Sequence, residues 1–296
     1  MSILIEVEVP LVSVVIPTFN RAKDLERALR SVLAQTHTNW EVLIVDNYSE
    51  DNTDEVIENL NEPRITLFKI HNHGVIAVSR NWGIQHARGK YIAFLDSDDW
   101  WTEKKLSESV QYLEDGADVV YHSLWIVRQK FQKSCQLTRT RQLKKPVFKD
   151  LLLNGNAIAN SSLVIKKEIL QKVGPISEDT AFVAMEDYDA WLKIAAMTEK
   201  FKLIPETLGY YWAGGGNTSN PQRTIDCLNN FEKNYGYKIY QLNGSKGAWW
   251  INYAKSKTYF KLGHYQKAFH FFKKIQLNKV AEHFMEKGRT YFYPRH

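Results

Sequence analysis

At 296 residues the chain can bury a full α/β core with an appendage left over, and its 44% hydrophobic and 13% aromatic content exclude a disordered or fibrous protein. No stretch approaches the roughly 18 apolar residues of a membrane span. Met1 to Pro10 carries Glu6 and Glu8 in place of a basic-then-apolar leader, and Cys135 and Cys227 lack metal or disulfide spacing, so a cytoplasmic protein is expected. The net charge of +6 is uneven: residues 221–296 hold 14 Lys and Arg against 4 Asp and Glu, and the remainder is net acidic.

Leu11-Val12-Ser13-Val14-Val15-Ile16 reads as a core strand that Pro17 ends, because proline cannot donate to a ladder. Thr18-Phe19-Asn20-Arg21 is then a loop, and Leu25, Leu29, Val32 and Leu33 recur at helical spacing. Residues 41–46 repeat the pattern, an apolar strand closed by Asp46-Asn47-Tyr48-Ser49, and Val56, Ile57 and Leu60 carry a second helix. A third strand at 65–70 leads to His71-Asn72-His73-Gly74 and a helix over 75–87. Alternating strands and helices with short connections predict a parallel sheet with right-handed crossovers. Ligands of such sheets bind beyond the carboxyl ends of the strands, so the loops at Thr18, Asp46, Asn72 and Asp96 should share one rim. Neither a dinucleotide fingerprint nor a P-loop follows the first strand.

The fourth strand, Tyr91-Ile92-Ala93-Phe94-Leu95, stops in Asp96-Ser97-Asp98-Asp99. Carboxylates this close repel unless a cation sits between them, and Asp96 and Asp98 can converge on one hard divalent ion. The same acids would also suit the start of the next helix, offsetting its dipole. Both readings stand on spacing alone.

Residues 117–123 read as a further strand. Residues 128–149 carry eight Lys and Arg and no acid, with little helical period, so a loop or hairpin is expected. Such a surface attracts phosphates of a nucleic acid, an anionic lipid or a phosphorylated carrier, or is simply solvated. Asn154 to Ser162 is turn-like and acceptor-facing in this reading, and Leu163-Val164-Ile165 is a short strand. In Met185-Glu186-Asp187-Tyr188-Asp189-Ala190-Trp191-Leu192, Trp191, Leu192 and Ala195 share one helical face, and Glu186 and Asp187 lie in the first turn, where acids cap a helix. Residues 203–212 suggest two short strands about a turn, and the Gly-rich residues 213–221 a closing loop. After Pro221 the pattern is purely helical, and residues 249–275 describe two helices joined at Gly263, resembling one tetratricopeptide unit.

Four segments, Val14 to Arg21, Val42 to Asp51, Ser79 to Ile84 and Gly89 to Asp99, resemble in order, spacing and residue type the successive signatures of family 2 of the glycosyltransferases, inverting enzymes of GT-A fold. The resemblance is firm over residues 11–115 and looser to 212. It implies an α/β nucleotide-sugar-binding fold, mostly parallel sheet flanked by helices, over residues 1–220, with a basic α-helical extension over 221–296. It also implies that Thr18, Asp46 and Asn47 hold the nucleotide base. Asp98 would ligate a Mn2+ or Mg2+ ion on the donor diphosphate, with Asp96 turned to the metal or ribose. Candidate donor-binding positions are thus Pro17, Thr18, Asn20, Arg21, Asp46, Asn47, Arg80, Asp96, Ser97 and Asp98. Arg80 either reaches the diphosphate or faces solvent. The Glu-Asp-x-x-x-Trp resemblance makes Asp187 the base that deprotonates the acceptor hydroxyl. Trp100, Trp101, Trp212 and Glu186 are acceptor candidates; core packing is the commoner fate of a Trp.

Two departures matter. Many relatives have Asp where Asn47 stands; Asn47 keeps an accepting oxygen for uracil but leaves thymidine or another base open. Many also have a His in the 213–221 loop, where this chain has none, so either Thr218 or Ser219 would contact the diphosphate or the metal would keep an extra water. The expected partners are a nucleoside-diphosphate sugar, with UDP favoured, and a glycan or lipid-linked acceptor, with peripheral membrane association through the basic tail. Nucleic-acid binding rests on charge alone and is not expected. The rival reading is a non-catalytic sugar-nucleotide-binding adaptor.

Overall fold

A computed structural model describes residues 9–129, 134–214, 220–275 and 291–292. Four parallel strands, β1 (Val12–Thr18), β2 (Trp40–Asp46), β3 (Ile65–Lys69) and β4 (Tyr91–Phe94), lie in the order β3-β2-β1-β4. Helices α1 (Ala22–Leu33), α2 (Thr53–Leu60) and α3 (Ile76–His86) connect them. β1, β2 and β4 are buried along their whole length, as continuous apolar runs require of strands covered on both faces. Val14, Ile16 and Ile44 feed the core on one side of the sheet; Val15, Leu43 and Phe94 feed the other. α3 approaches β1 so closely that a Cβ on Gly83 would lie 2.4 Å from Val15 Cγ1, a contact only glycine permits.

The sheet is mixed beyond β4. It continues through β5 (Trp100–Trp101), β6 (Val119–Val127), β7 (Ser134–Leu137), β8 (Val164–Lys166) and β9 (Phe201–Trp212), with α4 (Lys105–Glu114), α5 (Val147–Asn154), α6 (Lys167–Val173) and α7 (Glu186–Ala195) between them. β8 runs antiparallel between β4 and β6, and β9 pairs parallel with β6 and antiparallel with β5. A two-residue strand, β10 (Tyr291–Phe292), pairs with β7.

Two strand readings are corrected. Pro17 lies inside β1, opposite Val45 of β2. The ladder with β4 ends at Val15–Phe94, so the missing N–H faces a side where nothing pairs. β9 is one strand of 12 residues and not two about a turn. Its register on β6 steps from Tyr121–Leu203 to Ser123–Thr207, a bulge that absorbs Pro205 and Glu206 where no donor is needed. In the basic stretch, β7 folds back on β6 as a hairpin, and Arg141 turns inward to bond Asp150 and the Gly155 carbonyl.

The tail forms α8 (Pro221–Asn243), α9 (Trp249–Lys261) and α10 (Tyr265–Lys273), with Gly263 in the left-handed region between the last two. Asn220 caps α8 by accepting from the Gln222 amide, and Pro221 takes the first turn, where no donor is required. α8 and α9 pack on α7: the Phe231 ring stacks on Tyr188 at 5.2 Å and meets Trp250 edge-on at 5.3 Å, while the Tyr235 hydroxyl donates to Asp189 at 2.6 Å. Phe231 is 1% exposed, so Phe231→Ala should lower stability by about 3–5 kcal/mol, read as a reduced urea midpoint with unchanged slope.

Candidate active site

The carboxyl ends of β1, β2 and β3 meet at one rim because the strands are parallel and in register. Their loops are tied to one another by backbone groups. The Asn47 amide donates to the Thr18 carbonyl at 3.0 Å, and the Asn72 amide donates to Asn47 Oδ1 at 2.8 Å. Asn20, held at φ 49°, accepts from the Glu50 amide at 2.8 Å. Asp46, fully buried, accepts from the Ser49 amide and hydroxyl, an Asx-type turn that shapes the loop. Asp51 accepts from the Thr53 hydroxyl at the start of α2 and also, across the loops, from the Ala22 amide of α1 at 2.9 Å. These side chains build the walls. The buried Thr18 hydroxyl has no hydrogen-bond partner among the described residues, which makes it a ready group for a ligand. Half-exposed Phe19 and Tyr48 flank it, and a cleft of about 470 Å3 opens beside Phe19, Asn20 and Arg21.

The acid segment after β4 meets the first turn of α7 through Arg80 of α3. The Arg80 guanidinium is 4% exposed; it donates to Asp96 Oδ1 at 2.9 Å from one nitrogen and to Glu186 Oε1 at 2.9 Å from the other. Arg80 is therefore neither solvent-facing nor, in this arrangement, free to reach outward. Asp96 also accepts from Asn160 Nδ2 at 2.9 Å, while the Ser161 hydroxyl accepts from the Asp96 amide at 3.1 Å. Ser97 is buried within this turn. Asp98 Oδ2 lies 3.3 Å from Arg21, and its carbonyl accepts from Arg27 at 2.7 Å. Asp99, 1% exposed, accepts from the Trp212 amide at 2.8 Å and so anchors the end of β9.

Burial first, then the charge of Asp96, raises the Asp98 carboxyl above its usual range, with Arg21 opposing. Asp187 is pushed up to about 7 by burial and by Glu186, against the pull of Arg80 and the Tyr188 amide. The Tyr211 phenol on β9, which sequence reasoning missed, is raised by burial and then by Asp99, Asp96, Asp98 and Asp187 together. A single side chain thus feels the charge of both acid motifs.

The three tryptophans have different surroundings. Trp101 is 4% exposed, donates to the Ser161 carbonyl at 2.7 Å and packs under the Lys105 ammonium. Trp100 stacks on Tyr210 at 5.0 Å, and Trp100 and Trp212 both lie under the Arg27 guanidinium, at 4.3 and 5.4 Å. Thr218 and Ser219 lie outside the described residues.

The residues fit a hard divalent cation. Asp96 and Asp98 offer oxygen donors alone, their mutual repulsion raises Asp98, and one arginine incompletely offsets it. Among the described residues no group of three His, Cys, Asp or Glu gathers. Two carboxylates are what Mg2+ or Mn2+ needs when phosphate oxygens and water complete the shell.

Comparison with known proteins agrees with this geometry. The profile of Glycosyl transferase family 2 matches residues 13–174. An uncharacterized glycosyltransferase of Methanocaldococcus jannaschii is 30% identical over 70% of this chain and 72% of its own. The UDP-Glc:alpha-D-GlcNAc-diphosphoundecaprenol beta-1,3-glucosyltransferase WfaP of Escherichia coli is 26% identical over 78% of this chain and 88% of its own. Two solved structures share the fold. S. aureus TarS 1-349 in complex with UDP-GlcNAc superposes with TM-score 0.61 at 16% identity, over 93% of this chain and 81% of that one. The mannosyltransferase PcManGT from Pyrobaculum calidifontis, in complex with GDP-Man and Mn2+, superposes with TM-score 0.60 at 17% identity, over 92% and 78%. The acid segment and the first-loop and second-loop signatures lie within the matched region, and the architecture is that of GT-A structures: the chain belongs to glycosyl transferase family 2.

Proposed function

We propose that this glycosyltransferase is an inverting, metal-dependent enzyme that moves a hexose or N-acetylhexosamine from a UDP-sugar to a hydroxyl of a glycan or lipid-linked acceptor. The observation that carries the reading is the Arg80 bridge, which joins Asp96 to Glu186, the neighbour of Asp187 in the chain. The glucosyltransferase relative, named for a UDP-Glc donor and a diphosphoundecaprenol acceptor, supports the donor and the lipid-linked class.

The Thr18 hydroxyl and the Asp46–Asn47 turn hold the base, with Asn20, Arg21 and Pro17 shaping the first loop. Asp98 and Asp96 would hold a Mn2+ or Mg2+ ion, which when bound supplies positive charge against the departing diphosphate. Asp187 accepts the proton of the acceptor hydroxyl as that oxygen bonds the anomeric carbon. The bond from that carbon to the phosphate oxygen breaks with its electron pair, and configuration inverts. Glu186 and Arg80 fix the turn on which Asp187 sits. A carboxylate whose proton affinity lies near neutrality suits a base better than an ordinary surface aspartate does. In this reading residues 1–220 form the transferase unit and residues 221–296 an extension that braces α7. Intact acids at both motifs weigh against a non-catalytic adaptor.

Asp187→Asn should lower kcat by 10²–10⁴-fold, measured as UDP release with acceptor present, while UDP affinity by calorimetry stays within about twofold; normal turnover would remove the assigned base. The pH profile follows from the raised carboxyl. Below about 7 Asp187 is protonated in the free enzyme, so kcat/KM should fall tenfold per pH unit on the acid side and level off above it; a profile flat from pH 5 to 8 would contradict the role. Asp98→Ala should raise the Mn2+ concentration for half-maximal activity at least tenfold, equivalent to about 1.4 kcal/mol, in a metal titration of initial rates.

A further inference from the structure

We infer that the α9–α10 hairpin is a docking surface for an anionic membrane interface. On α10, Tyr265, Phe269 and Phe272 follow one another at i, i+4 and i+7, so they form a single stripe. All three are more than half exposed, as is Phe260 of α9, whose ring meets Tyr265 at 5.4 Å. The stripe is not the packing face of the helix. Packing falls to Ala268, Phe271 and Ile275, of which Ala268 and Ile275 are buried and Phe271 stacks its ring on Tyr259 of α9 at 5.6 Å. Four large aromatic side chains held outward on two adjoining helices form an apolar patch of a kind that monomeric soluble surfaces rarely leave uncovered.

The charge beside the patch says what covers it. Trp249 to Ile275 contains six lysines and no Asp or Glu. Lys255 is buried against Glu232 and is accounted for. Lys257, Lys261, Lys267, Lys273 and Lys274 are exposed. The Lys273 ammonium stands 4.5 Å from the Phe269 ring, and Lys257 and Lys261 flank Phe260 in sequence. Aromatic rings at headgroup depth, with lysine stems laid over them and ammonium groups among lipid phosphates, are the pattern of interfacial helices. A second copy of this chain is a poor occupant, because it would set lysine against lysine across the patch. The surface is separate from the cleft around Arg80, and the inference does not depend on the transferase reading.

Flotation of the full chain with vesicles tests it. Wild type should float with vesicles one-third phosphatidylglycerol, remain unbound with pure phosphatidylcholine, and detach in about 0.5 M salt, where screening shortens to a few ångströms. Lys257→Gln/Lys261→Gln/Lys273→Gln should lower the partition coefficient about a hundredfold, at roughly fivefold per lysine. Phe269→Ser/Phe272→Ser should abolish flotation with the charge intact. UDP release in solution and the thermal midpoint should be unchanged in both variants, which separates lost docking from lost folding or lost catalysis. Wild type that stays unbound at every lipid composition, or variants that float as wild type does, would overturn the inference. So would a dimer in light scattering that Phe269→Ser/Phe272→Ser disperses without any vesicle binding, which would assign the patch to a second copy.

Discussion

The guanidinium of Arg80 is the joint on which the cleft depends. Two carboxylates from distant parts of the chain, Asp96 after β4 and Glu186 at the start of α7, are brought together by one buried cation that gives a nitrogen to each. Charges removed from water in this way are held at a cost, and the arrangement is tolerable because each partner is paired and Asp96 is bonded further, by Asn160 and by the loop at Ser161. The three charges sum to one negative; Asp98 is partly offset by Arg21, and Asp187 adds its negative charge above about pH 7. That excess suits the proposed metal and acceptor-proton chemistry.

The supports lie outside the cleft. α7 is held from behind by Tyr188, whose hydroxyl donates to the Leu151 carbonyl and whose ring stacks on Phe231 and meets Trp250 edge-on. The acid segment is held by Asp99 on the Trp212 amide and by Arg27 on the Asp98 carbonyl. Positioning within tenths of an ångström requires this kind of outer support, since carboxylates in contact would otherwise spread apart.

Much of the nucleotide half was legible in the sequence because its strands are covered on both faces and so read as unbroken apolar runs, each stopped by polar residues at the same edge. The end of β1 and the break in β9 were misread for a reason that is not local: whether a proline such as Pro17 ends a strand depends on whether a neighbour needs its N–H, and only the sheet supplies that answer. Arg80 is the instructive case. Between Ser79 and Asn81 on a helix it has no local mark of burial, and its second partner lies 106 residues away. Asp96, Asp98 and Asp187 stand out in the sequence because acids at the end of a strand or the start of a helix are conspicuous. Tyr211 does not, and the bonds of Asp51, Asp99 and Asn160 could not be read there, since they reach across to another element. In the tail, helical periodicity marked the helices, but nothing in it distinguished the ring that packs on α7 from the rings that remain outside.

The stacking of Phe231 on Tyr188 ties the tail to the chemistry. The side of α7 that carries Tyr188 and Asp189 is closed by residues that come after position 220, so a shortened protein ending there would bare the aromatic ring of Tyr188 and remove the phenol bonded to Asp189. Exchange of the tail between related chains is accordingly constrained. A replacement must bring its own flat ring and its own phenol to those two places, whatever it offers to the outside.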